Sequence, residues 1–485
     1  MPLPSAGTGR LAAGLAPMLA ERPGESAFLP LPGGLDAMLA RLALTREAEQ
    51  SLDLQYYIWR DDFTGQLLMH AVLAAADRGV RVRLLLDDIG ASPDDEVLLA
   101  LASHPGVEVR LFNPLGWRQV PAISLLADLP RINRRMHSKT FLADGQIAVL
   151  GGRNIGDEYF DATRDFSFGD LDVLTAGPVV PDVSAAFEAY WQSLRSVPIT
   201  QLLGRMPDPD LLEALRSRLR TSLAEHRNSA YLQAVGFALS PAGQGKRTYF
   251  RGKARLLYDS PEKVAQAPAQ LAGSLVEQME QSLVPLTHEL MILSPYFIPG
   301  ARGVDSFRRL GEQGVQVTVL TNSLASSDVA AVHAGYQRYR MDLLEAGVRL
   351  HEMRPLPHSQ GTARRAGLPG SSSASLHAKT FVFDRRAVFI GSLNLDPRSI
   401  RLNMEIGLLC ESPALAQAIA EGVEAQLDAM TWQLQRETDA HGRSRLIWVE
   451  RNGEQAHRHL TEPETGFWQR LGVRILGWLP IESQL

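Results

Sequence analysis

Cysteine is nearly absent from this sequence of 485 residues, which contains only Cys410. A single cysteine excludes a disulfide framework within the chain and any metal site built from several thiolates. Cys410 lies in the apolar run IGLLCES, so we interpret it as a small buried hydrophobic residue. This cysteine content weakly favours a reducing compartment.

A surplus of positive charge is also missing. Lysine and arginine number 49 against 54 acidic residues, which gives a formal net charge of −5. General nucleic-acid binders normally carry a basic excess, so the composition argues against nucleic acid as a partner. The composition still leaves room for a local basic pocket.

Long apolar runs are missing as well. No stretch approaches the roughly 20 apolar residues of a bilayer-spanning helix, so we expect no transmembrane segment. The N-terminal stretch MPLPSAGTGRLAAGLAPMLAERPGE lacks the basic segment and solid apolar run of a secretory signal. Hydrophobic residues at 45% and charged residues at 21% are typical of a globular protein with a large core.

What the chain does contain is one pattern that occurs twice. RRMHSKTFLADGQIAVLGGRNIGDEYF spans residues 134–160, and SLHAKTFVFDRRAVFIGSLNLDPRS spans residues 375–399. His137 and His377 are 240 residues apart, and so are Asn154 and Asn394. The preceding segments match in order too, because strand-like runs such as RVRLLLD and VTVLT alternate with helix-like stretches in both halves. The repeat indicates a duplicated unit.

This alternation predicts the fold class and the division of the chain. We expect an α/β protein of two homologous halves, each a mixed sheet flanked by helices, packed as a pseudo-two-fold unit. The predicted segments are an N-terminal extension (1–34), a first half (35–200), a helical linker (201–250), a second half (251–435) and a C-terminal tail (436–485).

The repeated motif has the form His-x-Lys-x4-Asp followed by an asparagine, and these residue types suit a phosphodiester. We predict a strand through each motif, so that its histidine and lysine share one face. Lysine and asparagine donors would hold the phosphate oxygens. One neutral histidine could attack phosphorus while a protonated histidine gives a proton to the leaving oxygen. The duplication would thus supply both histidines. The residues are His137, Lys139, Asp144 and Asn154 in the first copy, and His377, Lys379, Asp384 and Asn394 in the second.

Some of these residues also have a structural interpretation. Lys139 and Lys379 occupy apolar stretches, where a lysine is costly without an anionic partner, so a phosphate ligand is favoured over a solvated face. Asp144 and Asp384 lie an odd number of positions from the histidines and are predicted to be structural. No carboxylate cluster accompanies the histidines in the sequence, so neither a metal nor another cofactor is predicted.

The paired motifs resemble the phospholipase D superfamily over most of the chain. LQYYIW, RLFNP, RRMHSK, GGRNIGDEYF and LHAKTFVFDRRAVFIGSLNLDPRS are similar to the bacterial cardiolipin synthase C type. The resemblance implies a phosphohistidine intermediate, with His137 as nucleophile and His377 as acid. It also implies an acid that orients each imidazole from its far nitrogen. Matching LDVLTAG to MEIGLLC places Asp172 and Glu405 in that role, with Asp170 as an alternative.

The activity that this resemblance implies is that of a phosphatidyltransferase making cardiolipin from two phospholipids. Phosphatidylglycerol is the expected acceptor and phosphatidylethanolamine a candidate donor. A hydrolytic phospholipase D or a nuclease of the same fold is the alternative, although the sequence shows no basic stripe with interleaved aromatics.

The expected partner besides the lipids is a membrane surface, and an accessory protein is left open. We expect a protein that is peripheral on the bacterial inner membrane or cytoplasmic. The end of the chain, TGFWQRLGVRILGWLPIESQL, fits a segment on a membrane surface and a segment docked on the core equally well.

Overall fold

The computed structural model describes residues 9–90, 94–116, 131–163, 167–240, 247–267, 272–283, 285–355, 374–438, 442–453 and 455–478. The strands of the first half are β1 (Ser26–Leu31), β2 (Ser51–Tyr56), β3 (Arg81–Asp87), β4 (Val107–Phe112), β5 (Thr140–Ala143), β6 (Ile147–Gly151), β7 (Ser167–Gly169), β8 (Asp172–Ala176) and β9 (Ser196–Pro198). Those of the second half are β10 (Phe250–Tyr258), β11 (Glu289–Leu293), β12 (Gln316–Asn322), β13 (Arg349–Met353), β14 (Ala374–Leu376), β15 (Thr380–Phe383), β16 (Ala387–Gly391), β17 (Ile406–Glu411), β18 (Thr431–Thr438), β19 (Ser444–Asn452) and β20 (Gln455–His459).

Helices connect these strands in both halves. They are α1 (Arg10–Ala20), α2 (Gly34–Glu47), α3 (Phe63–Asp77), α4 (Asp95–Ala102), α5 (Val180–Gln192), α6 (Ile199–Leu203), α7 (Pro209–His226), α8 (Ala230–Leu239), α9 (Leu275–Ser282), α10 (Gly300–Glu312), α11 (Ala330–Tyr336), α12 (Arg340–Glu345), α13 (Pro397–Arg401), α14 (Pro413–Met430) and α15 (Phe467–Leu476). No helix in these ranges is both long enough and apolar enough to cross a bilayer.

The two halves repeat the same strand order. The first half runs β1-β8-β6-β5-β2-β3-β4-β9, and the second runs β10-β17-β16-β15-β11-β12-β13-β18. In each half the central three strands are parallel and their neighbours are antiparallel. The predicted mixed sheets with flanking helices are confirmed. The segments predicted as extension and tail also contribute strands, because β1 joins the first half and β19 and β20 extend the second.

The halves meet in a continuous sheet and a shared core. β1 pairs with β10 in antiparallel register, with Phe28 opposite Phe250. Successive side chains of a β-strand point to opposite faces of the sheet. Along β5 and β15, which follow the two histidines, alternate residues therefore pack into different cores. Phe141 packs inside the first half, whereas Leu142 packs in a cluster between the halves. Val382 of the second half joins that same cluster. Each fully buried aliphatic side chain there contributes roughly 1.5–3 kcal/mol, so the interface is a hydrophobic core in its own right.

Candidate active site

The two histidine-lysine segments lie just outside the sheets. β5 begins at Thr140 and β15 begins at Thr380, so the predicted strands through the histidines start three residues too early. The reason is that each segment leaves its own sheet to pair with the opposite half. The backbone N–H of His137 donates to the carbonyl of Met404 (2.8 Å), and that of His377 donates to Gly169 (2.7 Å). In the second case the strands β14 and β7 form a short parallel pair.

Each imidazole is held by an acid from the other half of the chain. His137 Nδ1 lies 2.8 Å from Glu405 Oε2, and His377 Nδ1 lies 2.6 Å from Asp170 Oδ2. A carboxylate at this position accepts a hydrogen bond from the Nδ1–H group. That hydrogen bond fixes the tautomer of the imidazole and directs Nε2 away from the acid. The imidazoles remain only slightly exposed, at 12% for His137 and 10% for His377. Neither half alone contains a complete histidine–acid pair.

The prediction that Asp172 orients a histidine is wrong. Its carboxylate binds the guanidinium of Arg41 at 2.8 Å, and Arg41 also donates to the Tyr56 hydroxyl at 3.0 Å. These groups are fully buried beneath the sheet, so Asp172 completes a structural ion pair. In the matched hairpins, Gly151 pairs with Asp172 while Gly391 pairs with Gly407, so the counterpart of Asp172 is a glycine.

Lys139 and Lys379 are buried beside the two histidines. Each ammonium donates to the carbonyl of the histidine in its own motif, which leaves further N–H groups on each side chain. In the described ranges, neither ammonium forms an ion pair with a carboxylate, although the charges of Asp170 and Glu405 act on both lysines from farther away. Two buried cations without an ion-pair partner are costly unless an anion binds between them.

The two asparagines of the motifs are not equivalent. Asn154 Oδ1 accepts from the backbone N–H of Ile58 (3.1 Å), and its Nδ2 donates to the Tyr159 hydroxyl (3.0 Å). Asn394 is 3% exposed, and its Oδ1 has no hydrogen-bond partner within the described ranges. The unpaired Oδ1 of Asn394 is an acceptor that a ligand hydroxyl could satisfy, whereas its Nδ2 group is the part that can donate to a phosphate oxygen. Asn154, in contrast, uses both ends of its amide in holding its surroundings.

Two tyrosines outside the predicted site residues contact the imidazoles. The Tyr57 ring lies edge-on to His137 with centroids 5.1 Å apart, and it also lies 5.3 Å from the Lys139 ammonium. Tyr159 lies edge-on to His377 with centroids 5.3 Å apart. Both tyrosines come from the first half. The residue at the position matching Tyr159 is Ser399, so the repeat gave no signal for this contact.

Small residues next to the acids make the two sites differ. A Cβ at Gly152 would lie 2.5 Å from Asp170 Oδ1, so glycine there makes room for the acid. The matching residue is Ser392, whose hydroxyl donates to Glu405 Oε2 at 2.5 Å. Burial raises the pKa of Asp170 above its usual value. Burial acts the same way on Glu405, but neighbouring positive charge and hydrogen bonds outweigh it and lower its pKa.

The histidines and lysines are all shifted towards their neutral forms. Burial lowers the pKa of His137 to about 4 against the opposing effect of Glu405. Burial, with added repulsion from both lysines, lowers the pKa of His377 well below its usual value. Burial also lowers the pKa of Lys139 far below its usual value and that of Lys379 to about 8. An anion among these groups would oppose every one of these shifts.

Asp144 and Asp384 have the same structural surroundings in the two halves. Asp144 accepts from the backbone N–H groups of residues 49–51, and Asp384 accepts from those of residues 287–289. Both acids have positive φ, at 50° and 49°, in the turns of their hairpins. Each acid therefore ties its hairpin to the start of the central strand, away from the histidines. Among the residues that the structure describes, no group of three His, Cys, Asp or Glu side chains is placed to hold a metal ion.

Comparison with known proteins places this site in a family. The family model described as "Cardiolipin synthase, PLD-like domain" matches residues 42–191 and 277–427, one match in each half. The chain belongs to this family. The predicted membership of the phospholipase D superfamily is thereby confirmed.

Individual relatives extend this likeness over the whole chain. Cardiolipin synthase C of Escherichia coli is 42% identical over 476 residues, which cover 98% of this chain and 99% of that protein. A cardiolipin synthase of Geobacillus kaustophilus is 26% identical over 377 residues, covering 78% of this chain and 61% of that protein. The crystal structure of phosphatidylserine synthase from Haemophilus influenzae matches with a TM-score of 0.57 at 14% identity, covering 94% of this chain and 95% of that one. This last likeness concerns the fold.

Proposed function

We propose that this chain is a phosphatidyltransferase that joins two phospholipids to make cardiolipin. One observation carries the proposal: two histidines, each bonded at Nδ1 to an acid of the opposite half, lie beside two buried lysines that have no ion-pair partner. This set matches the needs of a phosphodiester, which brings negative charge and requires a nucleophile and a proton donor. The identity of 42% with a cardiolipin synthase supports the choice of product.

The first chemical step transfers the phosphatidyl group to the protein. Nε2 of His137 attacks phosphorus and forms a P–N bond, while the P–O bond to the head-group alcohol breaks. His377 gives its Nε2 proton to the departing oxygen. The Glu405 carboxylate, whose pKa is held low, opposes the positive charge that the phosphorylated imidazole acquires. The ammonium groups of Lys139 and Lys379 and the Nδ2 group of Asn394 donate to the non-bridging oxygens.

The second step is the reverse of the first, with the hydroxyl of a second lipid in place of the head-group alcohol. His377, now neutral, takes the proton from the hydroxyl of a second lipid. That oxygen attacks phosphorus, the P–N bond breaks, and His137 is regenerated. Phosphatidylglycerol has a suitable free hydroxyl, so it is the proposed acceptor. Phosphatidylethanolamine or phosphatidylglycerol is the proposed donor, and no accessory protein enters these steps.

Water competes with the acceptor lipid for the same intermediate. The slight exposure of both imidazoles favours transfer over hydrolysis, because a site with little room for bulk water protects a phosphohistidine. If water reacted with the intermediate faster than the acceptor lipid, phosphatidic acid would be the main product. The ratio of the two products therefore decides between a transferase and a hydrolytic phospholipase D.

Mass spectrometry with two differently labelled lipids tests the proposal. With phosphatidylethanolamine and acyl-deuterated phosphatidylglycerol together, the protein should make cardiolipin with one labelled half if phosphatidylethanolamine is the donor, and with two labelled halves if phosphatidylglycerol is the donor. A chelator should not abolish turnover, since lysine side chains supply the positive charge. Phosphatidic acid as the dominant product, with cardiolipin absent, would contradict transfer and support hydrolysis.

Histidine variants in the same assay test the two-histidine mechanism. His137→Ala and His377→Ala should each remain folded and lose turnover, because nucleophile and acid act in one step. His457→Ala removes an exposed histidine of β20 and serves as the matched control. Near-normal turnover of either well-folded site variant is incompatible with the mechanism.

A further inference from the structure

Helix α15, near the end of the chain, is apolar on two opposite faces. On one face Val473 and Leu476 pack against Leu324 and Ala334. On the other face large apolar side chains stand in solvent, with exposed fractions of 62% for Phe467 and 78% for Trp468. Ile475 on the helix and Trp478 just after it are exposed as well.

Together with the half-buried Leu471, these exposed residues form one continuous surface. At 100° per residue, Phe467, Trp468, Leu471 and Ile475 lie within an arc of roughly 100° on the helix. We call the surface of Phe467, Trp468, Leu471, Ile475 and Trp478 the aromatic face. Exposing two tryptophan side chains to water does not stabilise the fold. A continuous apolar patch of this kind therefore marks a surface that binds a partner.

Charge and residue type indicate which partner. Arg470 and Arg474 lie along one border of the aromatic face, and Arg474 is exposed. Tryptophan prefers the boundary between lipid head groups and acyl chains. Arginine beside an apolar helix face is attracted to anionic lipid head groups. The chemistry of this surface is therefore complementary to an anionic phospholipid bilayer.

The aromatic face is physically linked to the candidate active site. Gln469 of α15 donates to the carbonyl of Leu324 at 3.3 Å. Two residues before Leu324, the Asn322 side chain bonds both backbone groups of Leu376, next to His377. Four residues after Leu324, Asp328 accepts from the Tyr296 hydroxyl, and its charge partly opposes the burial that lowers the pKa of Lys379. One segment, residues 322–328, thus contacts α15 and also the residue that precedes His377.

We propose that the aromatic face inserts into the surface of an anionic phospholipid bilayer and so holds the active site against the source of its substrates. This role rests on the proposed function, because it explains how two lipids reach a site in a chain whose described helices do not cross the bilayer. The face lies parallel to the membrane with its rings at the head-group level. Lipids then enter beside segment 322–328 without first leaving the bilayer.

Vesicle flotation of the full-length protein tests the docking. Wild-type protein should float with vesicles of phosphatidylglycerol and phosphatidylethanolamine, and more weakly with phosphatidylcholine alone. The double variant Phe467→Ser/Trp468→Ser should bind the anionic vesicles at least tenfold more weakly. Phe237→Ser is the matched control, because Phe237 is 63% exposed on α8 and not on the aromatic face. Equal binding by the double variant and the wild type would overturn the proposal.

Two further measurements separate docking from catalysis and from self-association. His137→Ala should float like the wild type, so docking can be scored even if the chain is not a cardiolipin synthase. The double variant should keep its turnover on lipids dispersed in detergent micelles, and loss of that turnover would make the face structural. Analytical ultracentrifugation provides the last check. A wild-type dimer that the double variant converts to monomer, with vesicle binding unchanged, would identify a second copy as the occupant and overturn the proposal.

Discussion

At the scale of single residues, the acid behind each histidine determines what that histidine can do. Asp170 bonds His377 from the opposite half. Asp170→Asn keeps the size of the side chain but removes the negative charge that stabilises a protonated imidazole. We expect kcat to fall by roughly 100-fold or more with little change in KM. Steady-state kinetics over a range of pH measures this change. In the plot of kcat against pH, the apparent pKa that reports His377 should shift.

Asp172→Asn is the paired control for that variant. Asp172 lies two residues away in the sequence, is fully buried and bonds Arg41 instead of a histidine. Removing its charge leaves a buried guanidinium without its carboxylate, which should cost about 3–5 kcal/mol of stability. Turnover per folded molecule should change little. If Asp172→Asn lost turnover at unchanged melting temperature while Asp170→Asn stayed active, the geometric assignment of these acids would be reversed.

The sequence could not choose between these two acids for a physical reason. Side chains two apart on a strand share a face, so the alternation is the same whether Asp170 or Asp172 is matched to Glu405. Extra residues in the first copy make the alignment ambiguous at this point. The pairing of the hairpins resolves it, because Asp172 then matches Gly407. Glu405, in contrast, does bond a histidine, but that histidine is His137 of the opposite half and not His377 of its own motif.

At the scale of elements, local pattern gave the strands and helices but not the contacts between them. Alternating apolar residues predict the sheets of both halves, since each hairpin buries one face in its own core. The short β7–β14 pair joins residues about 200 apart in the chain and has no local signature. An aromatic residue that follows a buried strand, as Tyr57 follows β2, is usually part of the core, so the sequence pattern gives no sign of its role. Its contact with His137 depends on the tertiary arrangement.

The C-terminal segment that carries α15 is anchored by one buried acid. Glu462 bonds Arg340 and His333, and it is only slightly exposed. Although burial raises the pKa of Glu462, Arg340 and His333 outweigh it and lower the pKa to about 2. Its contribution to the free energy of unfolding should be complete above pH 4.5 and be lost as the pH falls towards 2. The expected size is about 3 kcal/mol for a shift of this kind.

Urea unfolding at pH 5 and at pH 3 measures this contribution. Glu462→Gln should be less stable than the wild type at pH 5, and the difference should shrink at pH 3. Glu464→Gln changes an exposed acid of the same segment and should behave like the wild type at both pH values. A difference between Glu462→Gln and the wild type that is the same at both pH values would show that the charge of Glu462 is not what anchors the segment.

At the scale of the whole molecule, the two halves form one hydrophobic core and one site. The cluster between them contains Phe28 and Leu142 from the first half and Met291 and Val382 from the second. Fragments 1–243 and 244–485, expressed together, should therefore associate and restore turnover. Each fragment expressed alone should be inactive as a monomer, because its histidine would lack the acid of the other half. Co-purification and the lipid assay measure both outcomes.

The oligomeric state must be measured alongside. An active fragment that is a homodimer could rebuild a pair of histidines and would leave the expectation intact. An active, strictly monomeric fragment 1–243 would show that the first half holds a complete site. Failure of the fragments to associate would show that the covalent connection through residues 241–246 is needed for the halves to pack.

The difference between Gly152 and Ser392 has a consequence for how such a protein can change. In a dimer of two identical chains, every substitution beside one histidine appears beside the other as well. In this fused chain, position 152 makes room for Asp170 while position 392 supplies a hydroxyl to Glu405. The proton affinities of the two imidazoles can therefore be altered one at a time. Joining the halves makes it possible for nucleophile and acid to specialise by separate mutations.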